Sequence, residues 1–252
     1  MFYGDSAMRI LILSDVHGNP WALDAVLQDA GPVDRVIFAG DAVNYGPEPQ
    51  AVVARLRQEE VLGVCGNHDR AVSHGESPRA SPSKHALAEA LAAWTRAQLD
   101  PRSLEWLSNL PTTVRFTFAG TRFLVVHGTP QGHLYDYRLT PDATEALLGE
   151  LLEGVEADLL IAGHTHLPLV RRYHAISIVN PGSVGQPLDG DPRAAYAVWQ
   201  DGHVELRRVA YDQDALLHAT ATLPLAPPLL SELLDMVMHA RLAAPPPKRS
   251  NP

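Results

Sequence analysis

Between Met8 and His68 the chain sets out three short, unbroken apolar runs separated by two stretches of helical spacing, and few folds accept that order. The runs are MRILILSD (8–15), RVIFAG (35–40) and VLGVCG (61–66). A strand covered on one face alternates apolar with polar residues. These runs do not alternate, which predicts strands buried on both faces. In NPWALDAVLQDA (19–30), Trp21, Leu23, Val26 and Leu27 recur at helical spacing before a stop at Gly31-Pro32, and residues 48–60 form the second helical stretch. Parallel neighbours need long crossover connections, usually helices, so the rhythm predicts a parallel sheet with helices packed on it.

The rest of the chain extends an α/β pattern. Residues 70–82 read as loose chain and about 83–110 as helix-rich. TVRFTF and TRFLVV form a hairpin turning at Ala119-Gly120. A long loop over 128–140 precedes a helix at 141–153. DLLIAG, LPLVRRY and AISIVN are short strands, and AAYAVWQDGHVELRRV is a second hairpin turning at Asp201-Gly202. A helix over 228–242 carries Leu230, Leu233, Leu234, Val237 and Met238, which either cover the chain's own core or join a second copy into a homo-oligomer. With 252 residues, 46% hydrophobic and 19% charged, the chain supports one large domain over 1–244. Residues 70–110 are a candidate helical cap, and 245–252, PPPKRSNP, a disordered tail.

A formal net charge of -9 repels phosphate polymers and anionic membranes at long range, so neither long nucleic acid nor membrane is an expected partner. Cys65 is the single cysteine, which excludes an intramolecular disulfide and a thiolate zinc cluster and fits a reducing cytoplasm. The opening MFYGDSAMRILILSD lacks the basic region of a signal peptide, and Met8 competes with Met1 as the start.

Five segments that follow predicted strands carry metal-type ligands: Asp15-Val16-His17, Gly40-Asp41, Gly66-Asn67-His68-Asp69, His127-Gly128 and Gly163-His164-Thr165-His166. Each alone has an ordinary reading as a turn, a helix cap or a hydrogen-bonded strand end. Together they matter, because loops beyond the carboxyl ends of parallel strands converge on one crevice. Carboxylate, imidazole and amide donors suit Mn, Fe, Zn or Ni better than Ca or Mg.

In this order the segments resemble the signature of the calcineurin-like metallophosphoesterase superfamily, and Asn180-Pro181-Gly182-Ser183 is similar to a segment of its small bacterial and archaeal phosphodiesterase branch. The resemblance implies a four-layer α/β/β/α sandwich of two mixed sheets with a di-metal site at strand ends. It implies that Asp15, His17 and His166 hold one divalent transition-metal ion, that Asn67, His127 and His164 hold a second, and that Asp41 bridges both. The implied nucleophile is a hydroxide between the ions. By formal charge the centre then keeps about one positive charge, enough to draw a phosphate ester into an acidic protein. His68, one residue beyond a ligand, is expected to give a proton or hydrogen bond to the leaving oxygen. Asn44 would assist it, and Asp69 would orient neighbouring backbone or cap the next segment.

The sequence also departs from part of that family. Where the phosphoprotein-phosphatase branch has Asp-Arg-Gly, this chain has Asn44-Tyr45-Gly46, so the arginine that grips phosphate is missing. A dianionic monoester gains most from such a clamp. The expected substrate is therefore a small phosphodiester or cyclic nucleotide, with phosphomonoesterase or protein-phosphatase activity, and a non-catalytic partner-binding module, as alternatives. Arg138 is a candidate replacement for the missing arginine. The loop 129–138 is a candidate lid, and Asn44, Tyr45, His68, His133 and Tyr135, with Tyr137, are the candidate substrate contacts.

Overall fold

A computed structural model describes residues 8–242. The first sheet contains β1 (Arg9–Leu13), β2 (Arg35–Phe38), β3 (Leu62–Gly63), β9 (Ala194–Gln200) and β10 (His203–Val209), in the order β10-β9-β1-β2-β3. Strands β1, β2 and β3 are parallel; β9 and β10 form an antiparallel hairpin that joins the sheet through β1. The second sheet contains β4 (Thr113–Phe118), β5 (Thr121–Val126), β6 (Leu159–Ile161), β7 (Leu169–Tyr173) and β8 (Ile176–Asn180), in the order β4-β5-β6-β8-β7. There β5, β6 and β8 are parallel, and β4 and β7 run antiparallel at the edges.

Both sheets are mixed, and the unalternating apolar runs explain their stacking. In β1, Ile10 and Ile12 face the second sheet and pack with Ile37, Phe123, Val125, Ile161, Val179 and Trp199. Leu11 and Leu13 face the other way, against α1 (Pro20–Ala30) and α2 (Pro49–Gln58) through Leu23, Val26, Val53 and Leu56. The outer face of the second sheet is covered by α6 (Glu145–Leu151) through Leu148 and Leu151. The order helix, sheet, sheet, helix is the four-layer α/β/β/α sandwich.

Capping chemistry sets the helix starts. Asn19 Oδ1 accepts from Ala22 N at 3.1 Å ahead of Pro20 at the first helical position of α1. Both hairpins turn where they were expected: Ala119-Gly120 and Asp201-Gly202 have positive φ at both central positions, which matches the twist of the flanking strands.

Several boundaries differ from expectation. Strand β3 pairs only over two residues, because the chain turns at once into α3 (Asn67–His74), a helix in a segment whose polar composition reads as loop. It survives because Asp69 caps it from within, accepting from Gly66 N at 3.0 Å. Helix α6 starts later than residue 141, behind the Thr144 cap. Helix α7 (Gln213–Thr220) was not expected; its signal was Asp212, which accepts from Ala215 N. Helices α4 (His85–Ala97) and α5 (Pro101–Ser108) make up the helix-rich segment. The terminal helix, α8 (Pro227–His239), buries Leu233 and Met236 against Leu87, Ala88 and Leu91 of α4. The stripe is covered within the chain only in part: Leu230, Leu234 and Val237 are half-buried and Met238 is exposed. The start at Met1 and the tail 245–252 lie outside the described residues; among the described residues no helix is long and apolar enough to cross a membrane.

Phe123 ties the two sheets together. It is 2% exposed, stacks on Phe116 at 4.6 Å and meets the Trp199 ring edge-on at 5.4 Å. Phe123→Ala should lower stability by about 3–5 kcal/mol, read by chemical denaturation. A loss below about 1 kcal/mol would mean that the sheets do not depend on this contact.

Candidate metal centre

Every ligand-bearing segment sits where a strand ends. Asp15 and His17 follow β1, Asp41 follows β2, Asn67 and His68 follow β3, His127 follows β5, and His164 and His166 follow β6. The loops turn so sharply that seven non-glycine residues here have positive φ: Asp15, His17, Asp41, Asn44, Tyr45, His164 and His166. The left-handed region is costly for residues with a Cβ, and its concentration in one place marks backbone held for a purpose.

Two groups of side chains could each hold a metal ion, and they share an edge. In the first, His166 Nε2 lies 3.3 Å from Asp15 Oδ1, and His17 Nε2 lies 3.2 Å from His166 Nε2. In the second, His127 Nε2 lies 3.1 Å from Asp41 Oδ2, 3.1 Å from Asn67 Oδ1 and 3.0 Å from His164 Nδ1. Asp41 Oδ2 also lies 3.9 Å from His17 Nε2, so this oxygen faces both groups. The structure thus brings Asp15, His17, Asp41, Asn67, His127, His164 and His166 into one buried cluster.

The surrounding bonds reveal which atoms face inward. His17 Nδ1 lies 3.1 Å from Val43 O, His127 Nδ1 2.7 Å from Ala39 O, and His166 Nδ1 2.6 Å from Gln186 O. A carbonyl only accepts, so each Nδ1 carries a proton and each Nε2 turns inward, with a free lone pair once its ring is neutral. Asp41 Oδ1 accepts from His68 N and Asp15 Oδ2 accepts from Ser14 Oγ and His164 N, which leaves Asp41 Oδ2 and Asp15 Oδ1 for the centre. Asp15 Oδ1 is buried with no hydrogen-bond partner. Asn67 Nδ2 donates to Pro78 O, which turns its Oδ1 inward. Acceptors packed at 3 to 4 Å repel one another unless positive charge lies between them, so the donor set fits two cations.

The electrostatics agree. Burial would raise Asp15 and Asp41, but the imidazoles of His166 and His127 outweigh it and hold both below the usual carboxylate range. Burial pushes His17 and His164 well below their usual value, so both are neutral, as a ligand must be. His127 goes the other way: burial lowers it, but Asp41 and Asp15 prevail and push it up to about 9.

The other anticipated residues fall into place unevenly. His68 is buried beside the cluster, its ring 5.2 Å from that of His17. Asn44 Nδ2 donates to Ala88 O at 3.1 Å and lies 2.9 Å from His68 Nδ1, while Thr95 Oγ1 donates to Asn44 Oδ1. The amide nitrogen therefore gives His68 Nδ1 a proton to accept, and neutral His68 keeps its own proton on Nε2. Burial pushes His68 down to about 4, which favours this neutral form.

Asp69 orients neighbouring backbone and caps α3, the role read for it from the sequence. Its oxygens accept from Asp41 N, Ala42 N and Gly66 N at 2.8 to 3.0 Å, so it holds the Asp41 loop in place and has no side-chain contact with the cluster. Gly66 allows that approach, since a Cβ there would collide with the Asp41 carboxylate. His133 and Tyr135 are corrected: they line a separate surface pocket of about 490 Å³ with Leu134 and Arg138, and Tyr135 lies under the Arg79 guanidinium. From that loop it is Tyr137 that reaches the centre, stacked on His164 with ring centroids 3.7 Å apart. Arg138 does not replace the missing arginine, because it is paired with Asp136 and Glu150. Tyr45 packs edge-on against His17 at 5.0 Å.

Sequence reasoning missed Lys84, which is 4% exposed just ahead of α4 with its Nζ 5.5 Å from the centre of the Tyr45 ring. Burial pushes its ammonium down to about 8, opposed by Asp15 and Asp41. The Asn180–Ser183 segment proves to be a brace: Asn180 Nδ2 donates to Gly163 O, and Ser183 Oγ donates to Asp15 O.

The model of the calcineurin-like phosphoesterase superfamily domain matches residues 8–201. An uncharacterised protein of Methanocaldococcus jannaschii is 31% identical over 223 residues, covering 81% of this chain and 88% of its own length. Phosphodiesterase YfcE of Escherichia coli K12 is 26% identical over 205 residues, covering 76% of this chain and 86% of its own. Among solved structures, a metallophosphoesterase from Sphaerobacter thermophilus superposes with a TM-score of 0.76 at 33% identity, covering 90% of this chain and 98% of that one.

The elevated His127 gives a pH test. Below about 9 the metal-free imidazole holds a proton on the nitrogen that faces the cluster. Metal uptake at pH 7.5 should therefore release a proton, and affinity should rise with pH until His127 is neutral. Calorimetric titration with Mn in two buffers of different ionisation enthalpy should give different heats. Equal heats would show that no proton leaves.

Proposed function

The chain belongs to the calcineurin-like phosphoesterase superfamily, and from that premise we propose that it is a metal-dependent phosphodiesterase acting on small diesters such as cyclic nucleotides in the cytoplasm. Two divalent ions (Mn, Fe, Zn or Ni) held by Asp15, His17, Asp41, Asn67, His127, His164 and His166 would supply hydroxide at neutral pH by lowering the pKa of water toward about 7.

One observation favours a diester over a monoester: among the described residues no arginine forms an ion pair with the cluster's carboxylates. The ion-pair partners of Asp15 and Asp41 are all histidines among the described residues. Tyr45, at the position of the absent clamp, packs on His17. A monoanion needs less positive charge than a dianion, and a centre with about one net charge matches it. That the Escherichia coli relative carries the name phosphodiesterase agrees with this reading.

The state of His68 refines its part. A neutral imidazole with Nδ1 already accepting from Asn44 offers its Nε2–H as a hydrogen-bond donor. It steadies charge on the departing or non-bridging oxygen without handing over a full proton. Asn44 is a positioning residue that fixes the tautomer.

The Mn-loaded protein should cleave bis-p-nitrophenyl phosphate with higher kcat/KM than p-nitrophenyl phosphate. Preference for the monoester would replace this reading with the phosphomonoesterase one. No turnover with Mn, Fe, Zn or Ni would favour a partner-binding module. His68→Ala should lower kcat about 10²–10³-fold at unchanged metal content, checked by elemental analysis. A loss of metal together with rate would make His68 structural.

A further inference from the structure

Lys84 is the cationic side chain that this site brings in from outside the metal-ligand motifs. The segment before α4 folds over the cluster: Asn67 Nδ2 donates to Pro78 O, Asn44 Nδ2 donates to Ala88 O, and Ala80 is buried with Tyr45, Leu87 and Leu91. Lys84 lies between those two tethers in sequence. A buried lysine normally has a carboxylate partner, because an unpaired buried charge is costly. Here the ion pairs of the described residues leave Lys84 without one, and the Tyr45 ring is its recorded cation–π contact. The Tyr45 ring in turn lies 5.0 Å from that of the ligand His17 and 4.8 Å from that of His68, which brings the ammonium to the edge of the cluster. The guanidiniums of Arg79 and Arg138 are engaged elsewhere, over Tyr135 and with Asp136 and Glu150.

We propose that Lys84 binds a non-bridging oxygen of the substrate's phosphate, taking from the cap side the part that an arginine after the bridging aspartate would otherwise take. This deepens the phosphoesterase reading and rests on it. An ammonium is a compact point charge on a flexible stem, whereas a guanidinium is a planar fork that engages two oxygens at once. A single point contact suits a diester, which offers two non-bridging oxygens carrying one charge between them. The Tyr45 face holds the ammonium through a cation–π contact that needs no substrate.

The test uses the full-length Mn-loaded protein, with Lys84→Met, which keeps the stem and removes the charge, and Lys84→Arg, which restores charge. Metal content and Tm are measured first, then inorganic phosphate affinity by calorimetry, then KM and kcat on bis-p-nitrophenyl phosphate. Lys84→Met should bind phosphate about ten- to hundredfold more weakly and raise KM, with metal content unchanged. Lys84→Arg should recover part of both. If Lys84→Met lowers Tm but leaves phosphate affinity and KM at wild-type values, Lys84 only staples the cap and the proposal is overturned. Failure of wild-type protein to bind phosphate would overturn it as well. Wild-type phosphate binding that depends on Lys84, without turnover of any ester, would uphold the anion contact and sink the enzymatic reading instead.

Discussion

The molecule is organised around a repulsion. Three Nε2 atoms, one Nδ1, two carboxylate oxygens and an amide oxygen face one another at close range, and once the imidazoles are neutral their lone pairs and the carboxylate charge repel. The surrounding bonds keep them there. Carbonyls of Ala39, Val43 and Gln186 fix three tautomers, and backbone or hydroxyl donors take the outer carboxylate oxygens. Seven strained φ values in the same loops add about 1 kcal/mol each, a sum comparable with the net stability of about 5–15 kcal/mol of an ordinary domain. Such a site persists only because two sheets and their helices bury enough apolar surface to hold the loops in place. Cations that replaced repulsion with attraction would return part of that free energy.

The sandwich makes this convergence geometrically available. Parallel β1, β2 and β3 send three loops to one edge, and parallel β5 and β6 send two more from the facing sheet. The inward faces of the sheets are dry and closely packed, so the loops start from rigid positions. Asn180, at the end of β8, and Ser183, just beyond it, then bind the Gly163 and Asp15 loops together across the sheets.

Legibility in the sequence followed the range of the interaction. The strands, both hairpin turns and the ligand-bearing strand ends were readable because each depends on local composition: unbroken apolar runs, residues tolerant of positive φ, polar clusters after strands. For Asp69 the capping and orienting role was readable but its partners were not, since amides from two separate loops, Asp41-Ala42 and Gly66, decide them. In the loop after His127, nothing local distinguishes Tyr137 from His133 or Tyr135; the stack on His164 does. That loop closes on itself, with Asp136 accepting from Thr129 Oγ1 and Arg138, which turns His133 and Tyr135 outward. Lys84 was hidden for the same reason. It stands in a polar segment where lysine is ordinarily solvated, and only the tethers to Asn44 and Asn67 draw that segment over the site.

Charge count connects these details. The cluster contains two carboxylates, and the positions where a third negative group would be most damaging hold amides: Asn67 within the cluster and Asn44 behind His68. A carboxylate at 44 would accept the Nδ1 proton of His68, raise its pKa and add a charge next to the centre. The amide instead donates to Nδ1, keeps the ring neutral and adds no charge. On the proposed reading the arginine's fork is absent as well, and Lys84 would offer a single point charge to the phosphate in its stead. A centre of that kind would lose its grip on a dianion more than on a monoanion, since a point charge engages one oxygen at a time where a fork engages two.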